Sequence, residues 1–291
     1  MTPRTAAGAP DRDAWITRCR VVTVGSSRVR VATSGQGAPL LMLNGIGANI
    51  EMWGPLASRL PDRRLVMLDL PGTGESPPLT VPLRMAGYAR LLVRVLDQLG
   101  LERVDVLGYS WGGALAQELA RTAPQRVRSL VLAATTPGVG GQPPAPWVLA
   151  LTATPARYHS RSYLRLVAPV VFGSSPAMTE GASGTARRRR PPTARGYAQQ
   201  MYAITGWSSR PWLRRLRVPT LVVSGSRDPL VPARNARILA RDLPDAERHV
   251  VPGGHLFLLE QPAEAALVIG AFLRRQDEAA DRQPAGVRPL T

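Results

Sequence analysis

The stretch VDVLGYSWGGALAQELA, Val104 to Ala120, decides how the rest of the chain is read. Its first residues are strand-like and its last form an amphipathic helical run, with Gly-Tyr-Ser-Trp-Gly between them and no loop to relax into. Side chains at Gly108 and Gly112 would collide as strand turns into helix. The serine between them is forced into a strained backbone conformation, which costs on the order of 1–3 kcal/mol. A sequence that needed only a turn would relax it. Retained strain lifts the Ser110 hydroxyl out of a sheet and sets it at a helix N-terminus, where the dipole favours an anion. Gly-x-Ser-x-Gly alone is a weak signal, but strand, motif and helix in this order is the setting of a nucleophile elbow.

On both sides of this stretch the chain alternates. RCRVVTV and SRVRVAT, split by Gly25-Ser26, read as an antiparallel hairpin. PLLMLNG and RRLVMLDLPG are apolar runs suited to strands buried on both faces. VRSLVLAATTPG, PTLVVSGS and AERHVVPGG complete eight candidate strands, with helical patterns in WGPLASRL, MAGYARLLVRVLDQLG, PARNARILARDLP and PAEAALVIGAFLRR. Strands alternating with helices imply an α/β fold: a mostly parallel eight-stranded sheet with helices on both faces. The rhythm stops after the sixth strand. Residues 139–216, rich in Pro, Arg and aromatic side chains, read as a mainly helical cap inserted between core segments 18–138 and 217–275. Residues 1–17 and 276–291 are polar and read as a disordered lead and a flexible tail.

Composition narrows the function classes. The 291 residues suit one medium domain with an inserted cap. All 37 basic residues are Arg, giving a net charge of +17, but this charge is spread along the chain and no nucleic-acid-binding motif accompanies it. Only Arg187 to Arg190 form a run, read as a solvated loop. No apolar run spans a bilayer and no secretory signal opens the chain, so the sequence points to a cytoplasmic protein. The single cysteine, Cys19, excludes an internal disulfide framework.

A serine hydroxyl needs a base to take its proton. Of three histidines, His159 lies in the cap and His249 within a strand. Only His255, in VPGGHLF, follows a strand on a loop at the carboxyl end of the sheet, where open α/β folds bind ligands. The imidazole in turn needs a carboxylate, and Asp228 in SGSRDPLVP stands just past another strand. For the oxyanion, the N–H groups of Trp111 and of Ile46 in NGIGAN are the candidate donors. Asn44 is expected to brace that loop and border the substrate pocket, while Asp69 in DLPGTGES is expected to cap backbone amides. Trp147, Trp207 and Trp212 are candidate apolar walls of the pocket.

Together these elements resemble the α/β-hydrolase superfamily across residues 18 to 275. LNGIGANIEMW, GYSWGGALAQELA, LVLAATTPG, ARYHSRSYLRLVAP, ITGWSSRPWL and GGHLFLLEQPAEA are similar to the intracellular medium-chain-length poly(3-hydroxyalkanoate) depolymerases. The cap segments RYHSRSYLRLVAP and GWSSRPWL are not general to the superfamily. The resemblance implies ester hydrolysis in a storage polyester at its granule surface, with Ser110, Asp228 and His255 on the family's triad positions and no metal or organic cofactor. Glu75, where a small residue is expected, and the arginine run depart from it. A small-molecule carboxylesterase, lactonase, thioesterase or cofactor-free perhydrolase would use the same three residues, and a non-catalytic binding protein could share the fold.

Overall fold

The computed structural model describes residues 16–174 and 190–282. Residues 1–15, Arg187 to Arg189 and the chain beyond Arg282 lie outside the described residues, and with them most of the expected lead, tail and arginine run. Eight strands form one sheet: β1 (Arg18–Val24), β2 (Ser27–Ser34), β3 (Ala38–Leu43), β4 (Arg63–Leu68), β5 (Val104–Tyr109), β6 (Val127–Ala133), β7 (Thr220–Gly225) and β8 (Ala246–Val251). Their order is β1-β2-β4-β3-β5-β6-β7-β8. The first two form the antiparallel hairpin, β2 pairs antiparallel with β4, and every later pairing is parallel.

This order fixes where chemistry can occur. The chain steps outward from β3 to β4, then returns to lay β5 on the other side of β3. The strand order therefore reverses between β3 and β5, and the loops leaving their carboxyl ends face one another across that switch point. All six residues of β5 are buried, as its near-continuous apolar run requires of a strand covered on both faces.

On one face of the sheet, α2 (Met85–Gln98) and α3 (Trp111–Thr122) pack through side chains such as Leu92, Val95, Leu115 and Leu119. The other face is covered by α1 (Gly54–Ala57), which continues a 3-10 turn at Ile50–Trp53, and by the C-terminal helices. Between β6 and β7 stand the cap helices α4 (Pro146–Thr152), α5 (Ala156–His159), α6 (Arg161–Phe172) and α7 (Ala194–Ile204). The chain then forms α8 (Arg234–Asp242), α9 (Phe257–Glu260) and α10 (Pro262–Asp281). The closing helix thus runs past Gln276, where the sequence suggested a loose tail. Asp277 accounts for the extension: it pairs with Arg128 at 2.6 Å and with the buried Arg63. Among the described residues no helix is long and apolar enough to cross a membrane.

The cap is seated on the turn after β4. Gly72, at φ +85°, meets the α7 backbone so closely that a Cβ on it would stand 2.2 Å from the Gly196 Cα. The Thr193 amide donates to the Gly72 carbonyl at 3.0 Å. Beneath this contact lies a buried ion cluster. Arg30 donates to Glu51 at 2.8 Å and to Asp69 at 3.0 Å, while Asp69 accepts the amides of Ile50 at 2.8 Å and Glu75 at 2.9 Å. Burial opposes the Arg30 charge, but Asp69 beside it and the bonds to Cys19, Asp69 and Glu51 hold its pKa above the ordinary guanidinium value. Glu75, the departure in the turn, pairs with Arg30 at 3.2 Å and with Arg190 at 2.7 Å. Arg190, last of the arginine run, also pairs with Glu51 and so ties the entry to α7 onto the core.

Candidate active site

The elbow adopts the conformation that its sequence demands. Ser110 has φ 55° and ψ −118°, and stands at the N-cap of α3 without using its side chain to cap the helix. The glycines differ in what they relieve. A Cβ on Gly108 would meet the Gly112 carbonyl oxygen at 2.5 Å and the Gly113 Cα at 2.6 Å, the crowding expected at the corner. A Cβ on Gly112 would instead strike the Leu43 carbonyl oxygen at 2.0 Å. Gly112 is therefore required by the close approach of α3 to β3, a contact between distant segments that a local reading of the turn did not contain.

Two side chains line up behind Ser110. His255 Nε2 lies 3.0 Å from Ser110 Oγ, and His255 Nδ1 lies 2.7 Å from Asp228 Oδ2. A carboxylate can only accept, so Nδ1 carries the proton and Nε2 is left to accept from the serine hydroxyl. The other Asp228 oxygen, Oδ1, accepts the amides of Leu230 at 2.9 Å and Val231 at 2.8 Å. The loop that carries the acid thus folds around it. His255 is equally fixed: its amide donates to the Phe172 carbonyl at 2.7 Å and its carbonyl accepts the Tyr109 hydroxyl at 2.7 Å. The Phe172 ring stacks with the imidazole at 6.1 Å and 15°, so the cap helix α6 covers one side of it. His159 is exposed near the Pro192 carbonyl and His249 lies on edge strand β8; neither approaches Ser110 as His255 does.

The loop after β3 comes against the elbow. A Cβ on Gly45 would sit 3.5 Å from the Ser110 Cβ, and Ile46 lines the same cavity as Ser110 and His255. Asn44 braces this loop and does not border the cavity. It is buried, its Nδ2 donates to the Asn49 carbonyl at 2.9 Å, and its Oδ1 accepts the Gly45 amide at 2.9 Å. Two cap residues that the sequence reading did not single out complete the loop's support. Tyr158 O–H donates to the Ile46 carbonyl, and Gln200 Oε1 accepts the Gly47 amide at 2.8 Å. The Gln200 backbone carbonyl in turn accepts Trp111 Nε1 at 2.9 Å. Arg157 is a third such residue. Its buried guanidinium lies over the rings of Tyr158 (4.9 Å) and Tyr197 (5.3 Å) and also lines the cavity.

None of the three candidate tryptophans borders the cavity at Ser110. Trp147 points outward from α4 and is exposed. Trp207 is held by its indole N–H on Glu118 at 2.9 Å and lines a neighbouring cleft. Trp212 packs edge-on against Trp207 with Arg121 over its ring. The cavity walls are instead Ile46, Ala48, Met52, Phe172, Leu230 and Leu256. These residues come from four separate segments, and no aromatic-rich stretch advertises them.

Fold and site define an α/β hydrolase: residues 38–262 match the model of the alpha/beta hydrolase fold family, and the chain belongs to it. It is a carboxylic ester hydrolase, and it is 41% identical over 248 residues to the poly(3-hydroxyalkanoate) depolymerase of Ectopseudomonas oleovorans, covering 84% of this chain and 88% of that protein. It is 31% identical over 240 residues to a putative carbamate hydrolase of Azorhizobium caulinodans, covering 78% of this chain and 88% of the relative. Among solved structures, the enol-lactonase of Burkholderia xenovorans LB400 superimposes with a TM-score of 0.76 at 22% identity, covering 88% of this chain and 100% of that one, a likeness of fold.

Proposed function

We propose that this ester hydrolase is an intracellular poly(3-hydroxyalkanoate) depolymerase acting on medium-chain polyester, through a Ser110-His255-Asp228 triad and an acyl-enzyme. The observation that carries the mechanism is the continuous relay from Asp228 Oδ2 through His255 to Ser110 Oγ, at 2.7 Å and 3.0 Å. The substrate class is supported by the 41% identical depolymerase and by the cap motifs.

In this mechanism His255 Nε2 takes the Ser110 proton as Oγ attacks the ester carbonyl. The amides of Trp111 and Ile46 receive the charge that develops on the carbonyl oxygen. Asp228 holds the imidazole in the required tautomer and stabilises the imidazolium. The protonated imidazole then gives its proton to the departing alcohol, here the hydroxyl end of the next hydroxyacyl unit. Water deprotonated by the same imidazole releases the hydroxy acid and restores Ser110. Neither a metal nor a cofactor enters these steps. The enzyme works in the cytoplasm at the granule surface.

The test is clearance of emulsified poly(3-hydroxyoctanoate) beside poly(3-hydroxybutyrate), with Ser110→Ala as control. Clearance of the first by wild type alone is expected. Cleavage of small esters with neither polymer cleared removes the depolymerase reading and leaves a small-ester esterase. Full activity of Ser110→Ala on small esters removes the mechanism.

A further inference from the structure

Beside the cavity at Ser110 lies a larger cleft that the steps above do not use. The cavity itself measures ≈ 20 Å³, enough for about one water. The cleft measures ≈ 450 Å³ and opens between the cap and the loops that follow β6 and β7. Its apolar lining is Val139, Leu149, Ile204, Trp207, Leu230 and Val231. Leu230 borders both spaces. Its backbone is fixed by the bond to Asp228, and its side chain is half-buried between them.

The cleft is built for a group without hydrogen bonds to offer. Among the described residues no charged side chain lines it. The amide of Asn235, at its polar end, is already engaged: Nδ2 donates to the Gln142 carbonyl and Oδ1 accepts the Gln142 amide, both at 2.8 Å. Val139 and Leu149 meanwhile stand 63% and 48% exposed at its mouth, apolar surface that an alkyl chain would cover. A methylene occupies about the volume of a water molecule, roughly 30 Å³ in the liquid, so a chain of about eight carbons takes up about half of the space.

We propose that this cleft is the subsite for the alkyl chain of the acyl group carried by Ser110, entered past Leu230, with Val139 and Leu149 setting the length it accepts. The proposal rests on Ser110 as nucleophile. It is tested with p-nitrophenyl acetate, butyrate, hexanoate and octanoate on wild type, Leu149→Trp, Val139→Trp and a control, Leu267→Ser, on the exposed face of α10. In wild type, kcat/KM rises with each methylene, up to about 4-fold, the equivalent of ~0.8 kcal/mol. Both Trp variants narrow the cleft mouth and lower the octanoate-to-acetate ratio at least about 10-fold, while the control keeps it. A flat wild-type series overturns the proposal whether or not a variant folds. So does an unchanged ratio in both active Trp variants. Retained acetate hydrolysis by Ser110→Ala is a separate failure, that of the nucleophile.

Discussion

Gln200, on the cap helix α7, accepts the backbone N–H of Gly47 through its side-chain oxygen at 2.8 Å. Its own backbone carbonyl takes the indole N–H of Trp111 at 2.9 Å. With Tyr158 O–H on the Ile46 carbonyl, the cap holds both residues whose amides are proposed to receive the oxyanion. Cap seating and oxyanion geometry are therefore one structural problem.

Gln200→Ala is expected to lower kcat about 10- to 100-fold with little change in KM, and Tyr158→Phe about 10-fold. The loop loses its support while the donors themselves remain, so the effect falls below the 10²–10³ of removing a donor outright. Steady-state kinetics on a short-chain ester, where the acyl chain makes few contacts, separates the two parameters. A loss confined to KM contradicts this role.

Gly112→Ala is expected to abolish the folded elbow, because its methyl would lie 2.0 Å from a β3 carbonyl oxygen that cannot move without parting the sheet. Gly100→Ala is the comparison. A Cβ there meets nothing within 4 Å, and only the φ of +66° opposes it, at a cost of roughly 1–2 kcal/mol. Soluble yield and thermal melting rank the two. Equal melting temperatures would show that the approach of α3 to β3 is not tight.

These contrasts show what the chain displays locally and what it does not. The strands and the elbow rest on periodicity and on glycine at a corner, and both are written within a dozen residues. Ser110, Asp228 and His255 were legible because each follows a strand, and the carboxyl ends of parallel strands share one edge. The cap contacts were not. Gln200 reaches Gly47, and Gly196 meets Gly72, across more than a hundred residues of chain, and no period or turn rule couples such positions. The tryptophans divide for a related reason: Trp147 and Trp212 border neither the Ser110 cavity nor the cleft beside it, whereas Trp207 lines that cleft. Size and apolarity predict that a side chain is buried, but Trp207 and Trp212 are used to pack the cap onto α3.

Arg30→Met is expected to destabilise the fold by about 3–5 kcal/mol, because it leaves the buried Asp69 and Glu51 without their common cation. Arg190→Met removes the outer guanidinium, which is one-third exposed, and is expected to cost under about 1 kcal/mol. Denaturant midpoints measure both. Similar losses would mean that the cluster is held from the cap side and that Arg30 is not its centre.

Asp228→Asn separates positioning from folding. Asp228 Oδ1 accepts two amides, from Leu230 and Val231, and an asparagine keeps those bonds only by turning its oxygen toward them. Its NH₂ group then faces His255 Nδ1, which must accept, so the proton moves to Nε2 and points at Ser110 Oγ. The imidazole can no longer take the serine proton. The loop stays folded, so melting changes little, while kcat falls by roughly 10⁴. Asp228→Ala loses the amide contacts as well and is expected to melt earlier than the asparagine variant. An asparagine variant within about 10-fold of wild type in kcat would show that Asp228 does not set the tautomer of His255.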